Sequence, residues 1–237
     1  MVTRFLSLLS AIFATALLSF AGPSAMAQTT TASPQIQVGD KWVYNCKDNY
    51  KSRDPAVRQD VEVTAFDEKT GMFTLTTTGG SCGRAVVKMD RFGNPSAEGA
   101  VTYKPDTQKL LVKSGPLVVG DKWDVKYEAS DGQGSSFSYS GSTKVVGMKT
   151  VAVLGGAEQQ VYQLEHYVTY NRFGAMGQGN GNMTTTYDYV QGMPFTSLSY
   201  VSRYRGGVAD DYTMTLVSYT PARQQQVGAV AEPAKTN

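Results

Sequence analysis

Apolar and polar residues alternate with a period of two along most of this chain, and short turn clusters break the alternation at regular intervals. The stretch from Lys122 shows the pattern clearly: Trp123, Val125 and Tyr127 interleave with Lys122, Asp124, Lys126 and Glu128, giving one apolar and one charged face. Reading every such run predicts strands over Lys41–Cys46, Gln59–Phe66, Met72–Thr78, Gly83–Asp90, Ala100–Tyr103, Lys109–Val112 and Lys122–Ala129. A second group covers Ser136–Val146, Thr150–Val153, Gln159–Tyr170, Asn182–Val190, Phe195–Tyr204 and Asp211–Tyr219. Separators such as Asp67 to Gly71, Gly79-Gly80, Gly93-Asn94-Pro95 and Gly206-Gly207 supply turn conformations. No stretch after residue 28 holds a helical period over three turns. The expected fold is all-β: a large antiparallel curved sheet, half-barrel or sandwich, of about 11–13 strands.

One pentapeptide occurs twice, as Val38-Gly39-Asp40-Lys41-Trp42 and as Val119-Gly120-Asp121-Lys122-Trp123. Each copy leads into a strand. Gly39 with Asp40, and Gly120 with Asp121, suit a tight turn, and Trp42 and Trp123 can each plug the end of a core. The repetition predicts two related units, about 37–115 and 118–220, within a single β domain over 37–220.

Such strand-opening turns resemble a broad set of exported bacterial β-proteins in which a G-D/K-x-W sequence precedes a strand. The segment Val146 to Gly156 is similar to a V-x-G-x-E-x-V-x-V-x-A-G stretch of those proteins, with Lys149 and Gly156 departing from its pattern. The resemblance implies an open, strongly curved sheet or half-barrel, distantly like periplasmic lipoprotein carriers, in a bacterial periplasm. It implies no reaction.

The first 27 residues read as an export signal: Arg4 precedes an apolar run from Phe5 to Phe20, and Ala25 and Ala27 flank Met26 in an A-x-A cleavage pattern. The expected location is periplasmic or secreted, and the processed chain is not expected to span a membrane. Residues 28–36 read as a flexible leader and residues 221–237, Gln-rich and then Ala- and Pro-containing, as a disordered tail. With Arg4 removed, 21 basic residues face 20 acidic ones without any cationic run, which excludes a nucleic-acid partner. In an oxidising compartment the two cysteines, Cys46 and Cys82, are expected to form a disulfide.

Chemistry-bearing residues are few. His166 is the sole histidine and falls on a strand face with Tyr162, Leu164, Val168 and Tyr170; Glu165 and Asp188 are the alternative, as an acid pair. One His with two bonded Cys leaves no ligand set, so neither a metal nor a cofactor is expected. The glycine-rich segment Arg172 to Asn182 reads as a hairpin tip that could cover a groove. Ten of fourteen tyrosines follow residue 130. Tyr167, Tyr170, Tyr187, Tyr189, Tyr200 and Tyr204 are the candidates for a ligand-binding aromatic surface, with sheet packing as the alternative.

Three functional readings remain open. The first is a non-catalytic exported protein that binds an apolar or amphipathic ligand or an envelope partner, such as a lipid, a glycan or an envelope protein. The second is a hydrolase acting on envelope or extracellular polymer through His166 or paired carboxylates. The third is a passive structural component of the envelope.

Overall fold

The computed structural model describes residues 36–222, except 52, 81, 105–110, 153–157, 175–176 and 191–194. The export signal, nearly all of the leader and the tail beyond Ala222 lie outside the described residues, as do Lys109, Leu110 and the Val153 to Gly156 end of the resembling segment.

Among the described residues twelve strands form: β1 (Lys41–Asp48), β2 (Val57–Asp67), β3 (Met72–Gly79), β4 (Val86–Met89), β5 (Pro95–Glu98), β6 (Val101–Tyr103), β7 (Lys122–Ser130), β8 (Ser136–Ala152), β9 (Glu158–Phe173), β10 (Gly179–Tyr189), β11 (Ser197–Tyr204) and β12 (Gly207–Thr220). Each pairs antiparallel with its neighbours in sequence, and β1 pairs with β12, so the sheet is a closed up-and-down barrel. The fold is all-β and antiparallel, and the curved sheet goes further than the open half-barrel that the resemblance implied. Each strand has a partner on both sides, although β6 meets β7 only at Thr102–Ser130 and Tyr103–Ala129.

Three local differences from the expected strands have physical causes. β8 is one strand rather than two, because the break in alternation is a bulge between Val145 and Gly147. β5 occupies part of an expected turn; Pro95 takes its first position, where a missing N–H is tolerated. Leu111 and Val112 are not in a strand. The Asn94 side chain bonds both backbone groups of Val112 instead.

The two pentads make matching turns. Gly39 and Gly120 both adopt φ of +95°, a conformation that favours glycine. Gln37 N–H donates to the Asp40 carboxylate at 2.9 Å, and Val118 N–H donates to that of Asp121 at 3.0 Å. Gly39 N–H bonds the Val63 carbonyl as Gly120 N–H bonds that of Val145. In return, the N–H groups of Val63 and Val145 donate to the Asp40 and Asp121 carbonyls. β1 and β7 lie opposite each other in the ring of strands and run in the same direction, so both turns fall on one rim. The indoles differ in setting. Trp42 is 0% exposed and stacks on Tyr219 at 5.7 Å, whereas Trp123 is half-buried with the Lys113 ammonium 5.9 Å from its ring.

Alternation places the apolar face of each long strand inside. Barrels of about eight strands are filled by side chains, whereas those of about sixteen hold a channel. At twelve, tyrosines and aliphatic residues pack against opposite walls and leave a space between them.

Candidate functional site: the barrel interior

The interior holds a cavity of about 360 Å³. Its walls combine aliphatic residues of the first half, such as Val61, Leu75 and Met89, with the tyrosines of the second, Tyr139, Tyr187, Tyr200 and Tyr212. Tyr44 and Phe195 join the two sides, their rings 4.9 Å apart. The lining reaches the exposed residues Arg84 and Asp210 and half-buried Glu98, so the cavity communicates with the surface there. These three sit where the β3–β4 connection, the end of β5 and the start of β12 meet one rim, opposite the rim of the pentads.

Four of the lining tyrosines direct their hydroxyl protons at protein acceptors. Tyr44 donates to the Phe195 carbonyl at 3.0 Å, Tyr187 to the Leu111 carbonyl at 2.8 Å, and Tyr200 to the Met183 sulfur at 3.2 Å. Tyr103 donates to the Glu98 carboxylate. Burial raises the pKa of Tyr44, Tyr187, Tyr200 and Tyr212 above the usual tyrosine range; at Tyr103 burial acts first and the Glu98 charge adds to it. All therefore stay protonated at neutral pH. Gln59, 3% exposed, also lines the cavity, and its Oε1 has no hydrogen-bond partner among the described residues.

The disulfide joins Cys46 on β1 to Cys82 in the β3–β4 connection, with Cα atoms 5.8 Å apart. Cys82 itself lines the cavity, so the bridge fixes a piece of its wall.

The residues singled out for catalysis do not converge. His166 faces inward, 0% exposed, with Nδ1 2.8 Å from the Thr143 hydroxyl and Nε2 3.5 Å from that of Tyr127. It is not part of the cavity lining. Glu165, its neighbour along β9, is exposed on the outer face. Asp188 also points outward and accepts a hydrogen bond from the Lys149 ammonium at 2.7 Å. Among the described residues no three His, Cys, Asp or Glu side chains gather as a metal site.

The six candidate tyrosines divide. Tyr187 and Tyr200 line the cavity. Tyr189 is buried with Val145 and Leu164 in the packed interior. Tyr170 and Tyr204 stack at 6.5 Å, and Tyr170 borders an open groove of about 290 Å³ shared with Asn171, Asn180, Asn182 and Arg203. Tyr167 is 44% exposed on the outside. None of the described residues from Arg172 to Asn182 lines the cavity.

Sequence reasoning missed Tyr44, Gln59, Tyr139 and Tyr212 as lining residues, together with the mouth residues Arg84, Glu98 and Asp210. One signal was present. Gln59 interrupts the otherwise apolar face of Val61 and Val63 on β2, and a polar group on such a face marks a special environment.

The sequence matches no protein-family model and no curated protein. Three solved structures are similar in part. A candidate lipoprotein from Parabacteroides distasonis has a TM-score of 0.45 at 8% identity, over 79% of this chain and 97% of that one. A candidate exported protein with a YmcC-like fold from Bacteroides fragilis has 0.44 at 13% identity, over 79% and 98%. The hypothetical lipoprotein YmcC from Escherichia coli has 0.39 at 10% identity, over 79% and 87%.

Proposed function

We propose that this is an exported protein, periplasmic or secreted, that binds a small apolar or amphipathic molecule inside its barrel and performs no catalysis. The leader pattern supports export, and the Cys46–Cys82 bridge suits an oxidising compartment. The observation that carries the binding role is the interior cavity. At about 360 Å³ it falls in the usual range for small-molecule sites, about 300–1,000 Å³, and a small set of polar groups interrupts its largely apolar lining. A passive envelope component would gain stability by filling that space, since unfilled volume forfeits packing contacts. The separate placement of His166, Glu165 and Asp188 favours binding over hydrolysis.

Uptake of an apolar fluorescent probe such as N-phenyl-1-naphthylamine by the purified protein, its bridge intact, tests the reading. Saturable binding at one site, abolished by filling the cavity with Leu75→Trp, is expected. No uptake by the wild-type protein, or uptake unaffected by the filled cavity, counts against it. Replacing His166 with Gln should leave probe binding unchanged.

A further inference from the structure

Three asparagines stand on the outer face of the barrel, at strand positions that rarely carry them. Asn171 of β9 faces Asn180 of β10, and Thr169, Asn182 and Arg203 form one line across β9, β10 and β11. These five border the open groove of about 290 Å³, and no carboxylate among the described residues lines it. Asparagine is depleted in strands, because its amide competes with the backbone ladder. A local rule broken without a packing gain is what a functional site shows. None of the three amides, nor the Arg203 guanidinium, has a hydrogen-bond partner or an ion pair among the described residues. Of the five side chains Thr169 alone is committed, its hydroxyl donating to the Ser140 carbonyl at 3.2 Å.

The groove is held in shape before any ligand arrives. Arg205, the one described non-glycine residue with a positive φ, at 49°, donates its backbone N–H to the Asn180 carbonyl at 3.0 Å and its guanidinium to the Gln178 carbonyl at 2.8 Å. Such a conformation is costly for a side chain and persists only where the surroundings impose it. Both bonds fasten the β11–β12 turn to the start of β10. Behind the groove, Gly181 leaves room for the Tyr170 ring, since a Cβ there would fall 2.5 Å from its Cζ. Tyr170 thereby reaches past β10 and donates to the Arg203 carbonyl at 3.2 Å, which fixes β11 where Arg203 borders the groove.

Amides that both donate and accept, beside a planar fork of donors, match the neighbouring hydroxyls of a sugar ring, each of which also donates and accepts. An aromatic face completes the set. Tyr167, 44% exposed, lies one rung further along the same outward face, with Asn182 as its diagonal neighbour at roughly 7–8 Å by strand geometry. Its apolar ring covers the C–H face of a pyranose while the amides take the hydroxyl edge. We propose that this groove is a second binding site, separate from the barrel interior, for a neutral pyranose unit of a glycan. At about 30 Å³ for each water-sized group the space holds on the order of ten heavy atoms, the size of one hexose residue, and because the groove is open a longer chain extends past it. A single cation among neutral groups suits an uncharged ligand better than a polyanion.

Nuclear magnetic resonance of the isotope-labelled protein, titrated separately with maltohexaose, cellohexaose, chitohexaose and inorganic phosphate, tests the site. At least one of the three sugars should shift the side-chain amide signals of Asn171, Asn180 and Asn182 saturably, with a dissociation constant in the millimolar range or below. Arg203→Ala and Asn182→Ala should each weaken that binding at least about tenfold, a loss of about 1.4 kcal/mol. Should Asn182→Ala not fold, exposed Arg203→Ala carries the comparison. Saturating sugar should leave uptake of N-phenyl-1-naphthylamine unchanged, so the groove and the interior stand or fall separately; competition between the two overturns the separation. Absence of any shift with all three sugars, shifts confined to other parts of the barrel, or undiminished affinity in the folded variants overturns the proposal. Phosphate moving these amides while the sugars do not makes the groove an anion site and overturns it as well.

Discussion

The Asn94 side chain acts as a strand partner for Val112: its Oδ1 accepts from the Val112 N–H at 2.8 Å and its Nδ2 donates to the Val112 carbonyl at 2.9 Å. Asn94 is itself held by Asp90, whose carboxylate accepts from the Asn94 backbone N–H at 2.9 Å and from its side-chain amide at 3.1 Å. A single amide thus takes the place of a ladder rung where the chain passes the end of β4 and β5.

Asn94→Ala leaves both Val112 backbone groups buried and unpaired, at about 1–3 kcal/mol for each such group. Chemical denaturation should show a clear loss of stability, whereas Asn94→Asp, which keeps only acceptors, should lose part of it. Because Val112 lines the cavity, probe binding should weaken as well. An Asn94→Ala protein as stable as the wild type would remove this residue from the account.

Reducing the Cys46–Cys82 bridge, which closes a separation of 36 residues, should lower stability by about 3–4 kcal/mol through the unfolded chain. A second effect belongs to the native state. With Cys82 released, the segment carrying Arg84 is no longer fixed at the cavity mouth, so probe exchange should quicken in the Cys46→Ala/Cys82→Ala protein. Stopped-flow release rates, with and without reductant, measure this directly.

Gly141 faces inward on β8, and a Cβ there would fall 2.0 Å from the Tyr167 carbonyl oxygen and 2.7 Å from the Val168 Cα. Both obstacles are backbone. Gly141→Ala must push β8 away from β9, and a loss of about 1–3 kcal/mol, the range for overpacked interiors, is expected in thermal or chemical unfolding. Alanine at Gly120 meets no atom within 4 Å, so its cost comes from the positive φ alone.

The interior tyrosines set the alkaline limit of the fold. Burial raises Tyr44, Tyr127, Tyr139, Tyr187, Tyr200 and Tyr212 above the ordinary value of 10.0, and Tyr219 to about 12 with the Asp40 charge contributing. A pKa raised on folding contributes stability that is fully present below the unfolded value and is lost as pH rises through the folded one. Stability should therefore hold up to about pH 10 and fall beyond it. In a titration followed by phenolate absorbance and by far-UV circular dichroism, ionisation of the buried tyrosines should coincide with loss of strand signal. Full ionisation with the strand signal intact would contradict their burial.

The long strands were legible because their alternation is strong: the cores of β1, β2, β3 and β7 follow directly from positions such as Trp42, Val61, Leu75 and Tyr127. Short ones were not. Pro95 follows a Gly-Asn pair and opens a strand of only four residues, so local signals favoured a turn. Parity alone placed Tyr187 and Tyr189 on one face, but which of them borders empty space depends on how the opposite wall packs. That wall includes Tyr44 and Gln59, more than a hundred residues earlier. His166 was legible as an inward residue; that its ring bonds Thr143 rather than a nucleophile follows from the β8–β9 register, in which the two residues are cross-strand partners.

The pairing of β1 with β12 has a consequence for how the molecule is made. Asp40 accepts hydrogen bonds from Tyr219 and Ala222, residues separated from it by 179 and 182 positions. Contacts of such separation must meet a large loop-closure entropy before they are rewarded, which slows folding. A nascent chain cannot close its ring until the last strand has left the ribosome, so the barrel assembles only once synthesis is complete.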